Sequence, residues 1–136
     1  MNNHTDRELA NAIMGDMLGE GAFRRVYAHA MDPELVVKVE AGARCFQNII
    51  EWSVWQEATD NLRRWLAPCV AISPQGSVLF QRRCEPLRVS ELPGRVPSIL
   101  TDLKISNWGL FQGRPVCLDY GFIPLQTWRL VKESWP

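Results

Sequence analysis

Apolar positions along the chain switch between two periods, and the switches mark its elements. From Asp6 to Ile13, Leu9, Ala12 and Ile13 share a helical face that Asp6 can cap, which predicts a short lead-in helix. Three strand-like pieces follow, Met17 to Gly21, Arg24 to Ala30 and Leu35 to Glu40, with glycines between the first two and Met31-Asp32-Pro33-Glu34 as the turn before the third. The β-branched run Leu35-Val36-Val37-Lys38-Val39 reads as a central strand with one charged interruption. Between Phe46 and Leu66 the period becomes helical, through Ile50, Val54, Ala58 and Leu62 with Trp52, Trp55 and Trp65 on adjoining positions, and Pro68 ends the helix. Two strands, Cys69 to Ser73 and Ser77 to Gln81, are joined through Pro74-Gln75-Gly76. Prolines and a glycine break the pattern from Arg82 to Ser98, which predicts a connector with at most one short helix. A last hairpin turns through Gln112-Gly113-Arg114-Pro115 into Val116-Cys117-Leu118.

Composition narrows the class. The chain has 136 residues, 46% of them hydrophobic, enough for a single domain with one core. Lys plus Arg balance Asp plus Glu at 15 each, so the basic excess expected of a sequence-independent nucleic-acid binder or of a protein on an anionic membrane is absent. Cys45, Cys69, Cys84 and Cys117 form no C-x-x-C pair and have no nearby histidine, a spacing that suits reduced thiols better than zinc ligands. The polar start Met1-Asn2-Asn3-His4-Thr5-Asp6 is unlike a signal peptide, and no apolar run reaches membrane-spanning length, so a cytoplasmic protein is expected.

Several residues invite chemistry. In Leu18-Gly19-Glu20-Gly21-Ala22-Phe23-Arg24 the glycines Gly19 and Gly21 would let backbone amides approach phosphate oxygens, although a glycine pair in a β-turn is more often only a turn. Lys38, inside an apolar strand, needs an anion if it faces the interior and none if it faces water. Glu51 and Glu57 are the helical acids within range, nearly two turns apart and on different faces; the tryptophans around Glu51 favour it as the partner. Arg24 can reach a ligand phosphate or face solvent. Further along, Asp102-Leu103-Lys104-Ile105-Ser106-Asn107 sets an aspartate, a lysine and an asparagine at fixed offsets, and Asp119-Tyr120-Gly121 follows.

These last two motifs resemble the protein-kinase family, with its D-x-K-x-x-N catalytic loop and D-F-G turn, and the order of glycine loop, strand lysine, helix glutamate, strand hairpin, loop and D-Y-G is similar to the order in that family. Lys104 leans toward the protein-kinase side rather than the aminoglycoside-kinase side, where the loop lacks this lysine. The fold the resemblance implies is α+β: a five-stranded antiparallel sheet with one long helix over about residues 14–81, a hinge over 82–98, and a severely truncated second lobe over 99–136 holding the catalytic loop and the D-Y-G hairpin. It implies that Gly19 and Gly21 cover the phosphates of ATP, that Lys38 holds the α and β phosphates, and that Glu51 orients Lys38. Asp102 would orient the attacking hydroxyl and take its proton, Lys104 would neutralise the moving phosphoryl group, Asn107 and Asp119 would bind Mg2+, and residues near Gln81 to Cys84 would receive the adenine. The third glycine of the phosphate loop is replaced by Arg24, and Leu100 and Thr101 stand where the family has histidine and arginine. There is no A-P-E motif and little room for a substrate-binding helical lobe, so Trp108, Phe111, Phe122, Trp128 and Trp135 are left to cover the catalytic segment internally, through a second copy, or through a partner. Chains this compact resemble kinase-like proteins carried by bacteriophages. The implied activity is an ATP- and magnesium-dependent phosphotransferase acting on a protein hydroxyl, its own included; the alternative is a pseudokinase-like module that recruits or inhibits a cellular protein.

Overall fold

Strand alternation sets the architecture. In the computed structural model the described residues are 4–41, 45–121, 128–132 and 135. Helix α1 (His4–Ile13) leads directly into β1 (Met14–Glu20), β2 (Arg24–His29) and β3 (Leu35–Glu40); helices α2 (Gln47–Glu57) and α3 (Asp60–Arg63) follow, then β4 (Cys69–Ile72) and β5 (Val78–Arg82). These five strands form one antiparallel sheet in the order β1-β2-β3-β5-β4, so the apolar run of β3 is its central strand, as its composition predicts. The chain is therefore α+β, with a five-stranded antiparallel sheet and few helices.

The two faces of the sheet have separate tasks. Tyr27, Val37 and Phe80 lie opposite one another across β2, β3 and β5, and with Val39 and Val78 they pack against Ala10 and Ile13 of α1. The lead-in helix is thus the cover of one sheet face. Val26, Lys38 and Leu79, shifted by one position, point to the other face, toward α2.

Three local expectations are corrected. Asp6 does not cap α1; it is 1% exposed and accepts bonds from the Ser73 and Ser77 hydroxyls, both at 2.6 Å, and from the Ser77 amide at 3.1 Å. It fastens α1 to the β4–β5 turn, and Ala10 rather than Ala12 fills the buried face. The helix expected from Phe46 to Leu66 is broken: Ala58 turns extended (φ −64°, ψ 139°), and Thr59 begins α3 by accepting the Leu62 amide at 3.4 Å. The connector also contains two short strands, β6 (Glu85–Pro86) and β7 (Arg95–Pro97), besides the 3-10 turn Val89–Glu91.

Downstream, β6 pairs with β8 (Trp108–Phe111), which pairs with β9 (Arg114–Cys117) through the expected hairpin, with Gln112 and Gly113 at positive φ. Strand β10 (Leu130–Lys132) returns to pair with β7. The larger core gathers Val54, Leu62, Leu66, Leu79, Val96, Leu100, Trp108 and Tyr120, so it is shared between α2, the sheet and the β8–β9 hairpin. Trp128 and Trp135 pack against it, and Trp135 meets Trp108 edge-on at 5.3 Å. Phe122 lies outside the described residues. All four cysteines are free thiols. Among the described residues no helix is long and apolar enough to cross a membrane.

Candidate functional site

On the sheet face away from α1, Lys38 is 4% exposed and therefore needs an anion. Helix α2 supplies it: Glu51, with no exposed surface, accepts from Lys38 Nζ at 2.9 Å. Lys38 Nζ also donates to the Leu118 carbonyl. Glu57 is exposed, so the choice between the two acids resolves to Glu51. Burial works to raise the Glu51 carboxyl, but Lys38 and then Arg24 outweigh it and hold the group below the usual carboxylate range.

Arg24 joins this pair instead of facing water. It is 5% exposed, and its Nη1 donates to Glu51 Oε2 at 2.9 Å and to Asn48 Oδ1 at 3.0 Å, while Nη2 donates to Asp119 Oδ1 at 2.7 Å. Burial opposes its charge, yet Glu51 and Asp119 keep the guanidinium above its ordinary value. Asn48 completes the cluster by donating Nδ2 to the Lys38 carbonyl at 3.1 Å. The part played by Arg24 and Asn48 was not read from the sequence. Strand parity holds the signal for Arg24, because it stands two positions before Val26, whose register partner is Lys38, and so shares that face.

The Asp119-Tyr120-Gly121 segment is locked to α2. Tyr120 N–H donates to Glu51 Oε1 at 2.7 Å, and its hydroxyl donates to the Ala67 carbonyl at 2.6 Å and lies 3.1 Å from Cys69 Sγ. A Cβ on Gly121 would stand 2.9 Å from the Gln47 carbonyl oxygen, so the third position of the motif is glycine for close approach to α2. Asn107 ties the preceding loop to the same segment: its Oδ1 accepts the Asp119 amide at 2.8 Å, and its Nδ2 donates to the Asp119 and Asp102 carbonyls at 3.1 and 3.3 Å. Asp102 and Lys104 are exposed, and the Lys104 amide donates to Asp102 Oδ1 at 3.4 Å.

A cleft of about 730 Å³ joins these parts. Its lining combines Gly19 and Gly21 at the β1–β2 turn, Lys38 and Arg24 on the sheet, and Asp102, Lys104, Asn107 and Asp119 from the later segments. Val26, Val36 and Leu118 give it an apolar portion, and the stretch from Gln81 to Cys84 closes its side. The eight site residues expected from the sequence therefore all line, or directly brace, one cavity. A Cβ on Gly19 would meet nothing within 4 Å, so packing alone does not demand a glycine there. Burial pushes the Cys69 and Cys84 thiols each up to about 11, which keeps them protonated at neutral pH.

A magnesium-type ion takes open oxygen ligands. Asp119 Oδ1 is already engaged by Arg24, and Asn107 Oδ1 by the Asp119 amide. Among the described residues no group of three or more His, Cys, Asp or Glu converges as a metal site. Asn107 and Asp119 are adjacent, and each has its Oδ1 bonded to a protein donor, while the Asp119 side chain remains 47% exposed.

No protein-family model matches the chain, and no curated protein matches it.

Proposed function

We propose that this chain is a kinase-like nucleotide-binding domain that accepts ATP in the cleft and transfers its terminal phosphoryl group to a protein hydroxyl, its own included. The observation that carries the reading is the buried Lys38–Glu51 pair at 2.9 Å opening onto the cavity that also holds Asp102, Lys104, Asn107 and Asp119. A buried ion pair contributes little net stability compared with apolar packing. Its position at the wall of a cavity gives it a use beyond folding, as an anchor for anionic phosphate.

In this reading the apolar portion near Val26, Val36 and Leu118 takes the base, the amides around Gly19 and Gly21 cover the phosphates, and Lys38 neutralises them while Glu51 holds its ammonium in place. The exposed Asp102 carboxylate orients the acceptor hydroxyl and takes its proton as the oxygen–phosphorus bond forms and the bond to the β-phosphate bridging oxygen breaks, releasing ADP. Lys104 sits beside the moving group as a counter-charge. Asp102→Asn should lower phosphate transfer at least about a hundredfold while leaving ATP affinity within about threefold, measured with labelled ATP and by calorimetry. Full transfer by that variant would contradict the role of Asp102.

A second reading, a binding module without transfer, draws support from the Arg24–Asp119 ion pair, which engages one oxygen of a carboxylate that catalysis would use. In that case Asp102→Asn changes neither nucleotide binding nor partner binding.

A further inference from the structure

Arg24 is the feature of the cleft that the proposed chemistry does not absorb. It starts β2, directly after the glycine turn, and reaches across the cleft wall to contact α2 and the Asp119 segment at once. Its exposure of 5% and its contacts with Asn48, Glu51 and Asp119 mark a built site, because a surface arginine would leave most of these donors to water. The charges on this wall balance without any ligand: Lys38 and Arg24 stand against Glu51 and Asp119. A divalent ion at Asp119 would share the carboxylate with a guanidinium bonded to Oδ1 at 2.7 Å and still paired to Glu51, so positive charge would be added beside a buried cation on a wall already neutral.

We propose that Arg24 is the resident cation of this cleft: its guanidinium takes the place beside Asp119 that a divalent metal ion would need, and the cleft grips nucleotide phosphate with Lys38 and Arg24 independently of a bound metal. The phosphate half of this statement rests on the nucleotide reading above; the exclusion of metal from Asp119 does not. Arginine suits the task because its planar fork can hold Glu51 and Asp119 together while presenting its charge to the cavity, which the single point charge of lysine cannot do.

The test uses two probes on the full chain. Manganese alone, followed by electron paramagnetic resonance, should show no saturable site in the wild-type protein up to about 1 mM, the weak end of protein sites for hard divalent ions. Arg24→Gln should gain a site that Arg24→Gln combined with Asp119→Ala loses. ATP, followed by calorimetry, should bind the wild type within about threefold as tightly in chelator as in magnesium, whereas Arg24→Gln should lose about tenfold or more in chelator and recover with magnesium. Wild-type manganese binding that disappears in Asp119→Ala would overturn the proposal, and this comparison stands even if Arg24→Gln fails to fold. ATP binding by the wild type only with a divalent ion would also overturn it. If ATP binds under no condition, the nucleotide reading fails, and the manganese comparison still decides what holds Asp119.

Discussion

Glu51 gathers donors from three parts of the chain: Lys38 on β3, Arg24 on β2 and the Tyr120 amide. Its carboxyl lies below its ordinary value of 4.5 in the folded protein, so the folded state binds this proton less readily than the unfolded chain. The stabilisation is therefore present above the unfolded value and is lost as pH falls through the folded one. Glu51→Gln should flatten the acid limb of the stability curve, read as denaturant midpoints from neutral pH down to about pH 3. An unchanged acid limb would mean that Glu51 does not carry the charge. Asp6 shifts in the same direction although burial opposes it, because the Ser73 and Ser77 hydroxyls and nearby amides stabilise its charge. Asp6→Ala strands the buried Ser73 hydroxyl and the half-buried Ser77 hydroxyl, and a loss of about 2–3 kcal/mol in urea unfolding is expected. Lys38 and Glu51 were legible because a lysine inside a β-branched strand and an acid among tryptophans must find each other when buried. Asp6 was misread because its partners lie far along the chain, and a helix-start aspartate looks locally like a cap.

At the scale of elements, apolar runs and turn residues located all five strands of the sheet within a few residues: the central β3 and its neighbour β5 are apolar runs with successive buried residues, while the more exposed β1 and β2 are marked by the glycines and the Asp32-Pro33 turn at their ends. The apolar pattern ran α2 and α3 together because Val54 and Leu62 both point into the same core and keep helical spacing across the break at Ala58. Only the local competence of Thr59 as a cap signals the interruption. Short strands such as β6 and β7 were missed because they are held by pairing with β8 and β10 and carry little pattern of their own. The contact between Gly121 and the first turn of α2 gives this scale its prediction. Gly121→Ala should push α2 from the Asp119 segment and cost about 1–3 kcal/mol in thermal or urea unfolding; a neutral substitution would mean that the two elements are not tightly apposed.

For the molecule as a whole, the open question at the sequence level was what covers the short segment after the connector. The tail does so in part: β10 pairs with β7, and Trp135 packs on Trp108 while donating Nε1–H to the Pro93 carbonyl at 2.8 Å. Trp135→Ala should cost about 2–4 kcal/mol in urea unfolding and leave ligand affinity in the cleft unchanged, because Trp135 does not line it. The candidate site was legible as a set of residues, since Lys38, Glu51, Asp102, Lys104, Asn107 and Asp119 do converge around one cavity. Its charge balance was not, because that depends on Arg24 crossing from β2 to Asp119, ninety-five positions along the chain. The central claim is that this cavity is a nucleotide site built on Lys38, and calorimetric titration of the full chain with ATP, wild type against Lys38→Met, tests it most directly. Saturable one-to-one binding is expected, weakened at least about tenfold by Lys38→Met while the fold survives. Absence of wild-type binding at millimolar ATP, or equal affinity in the variant, would contradict it.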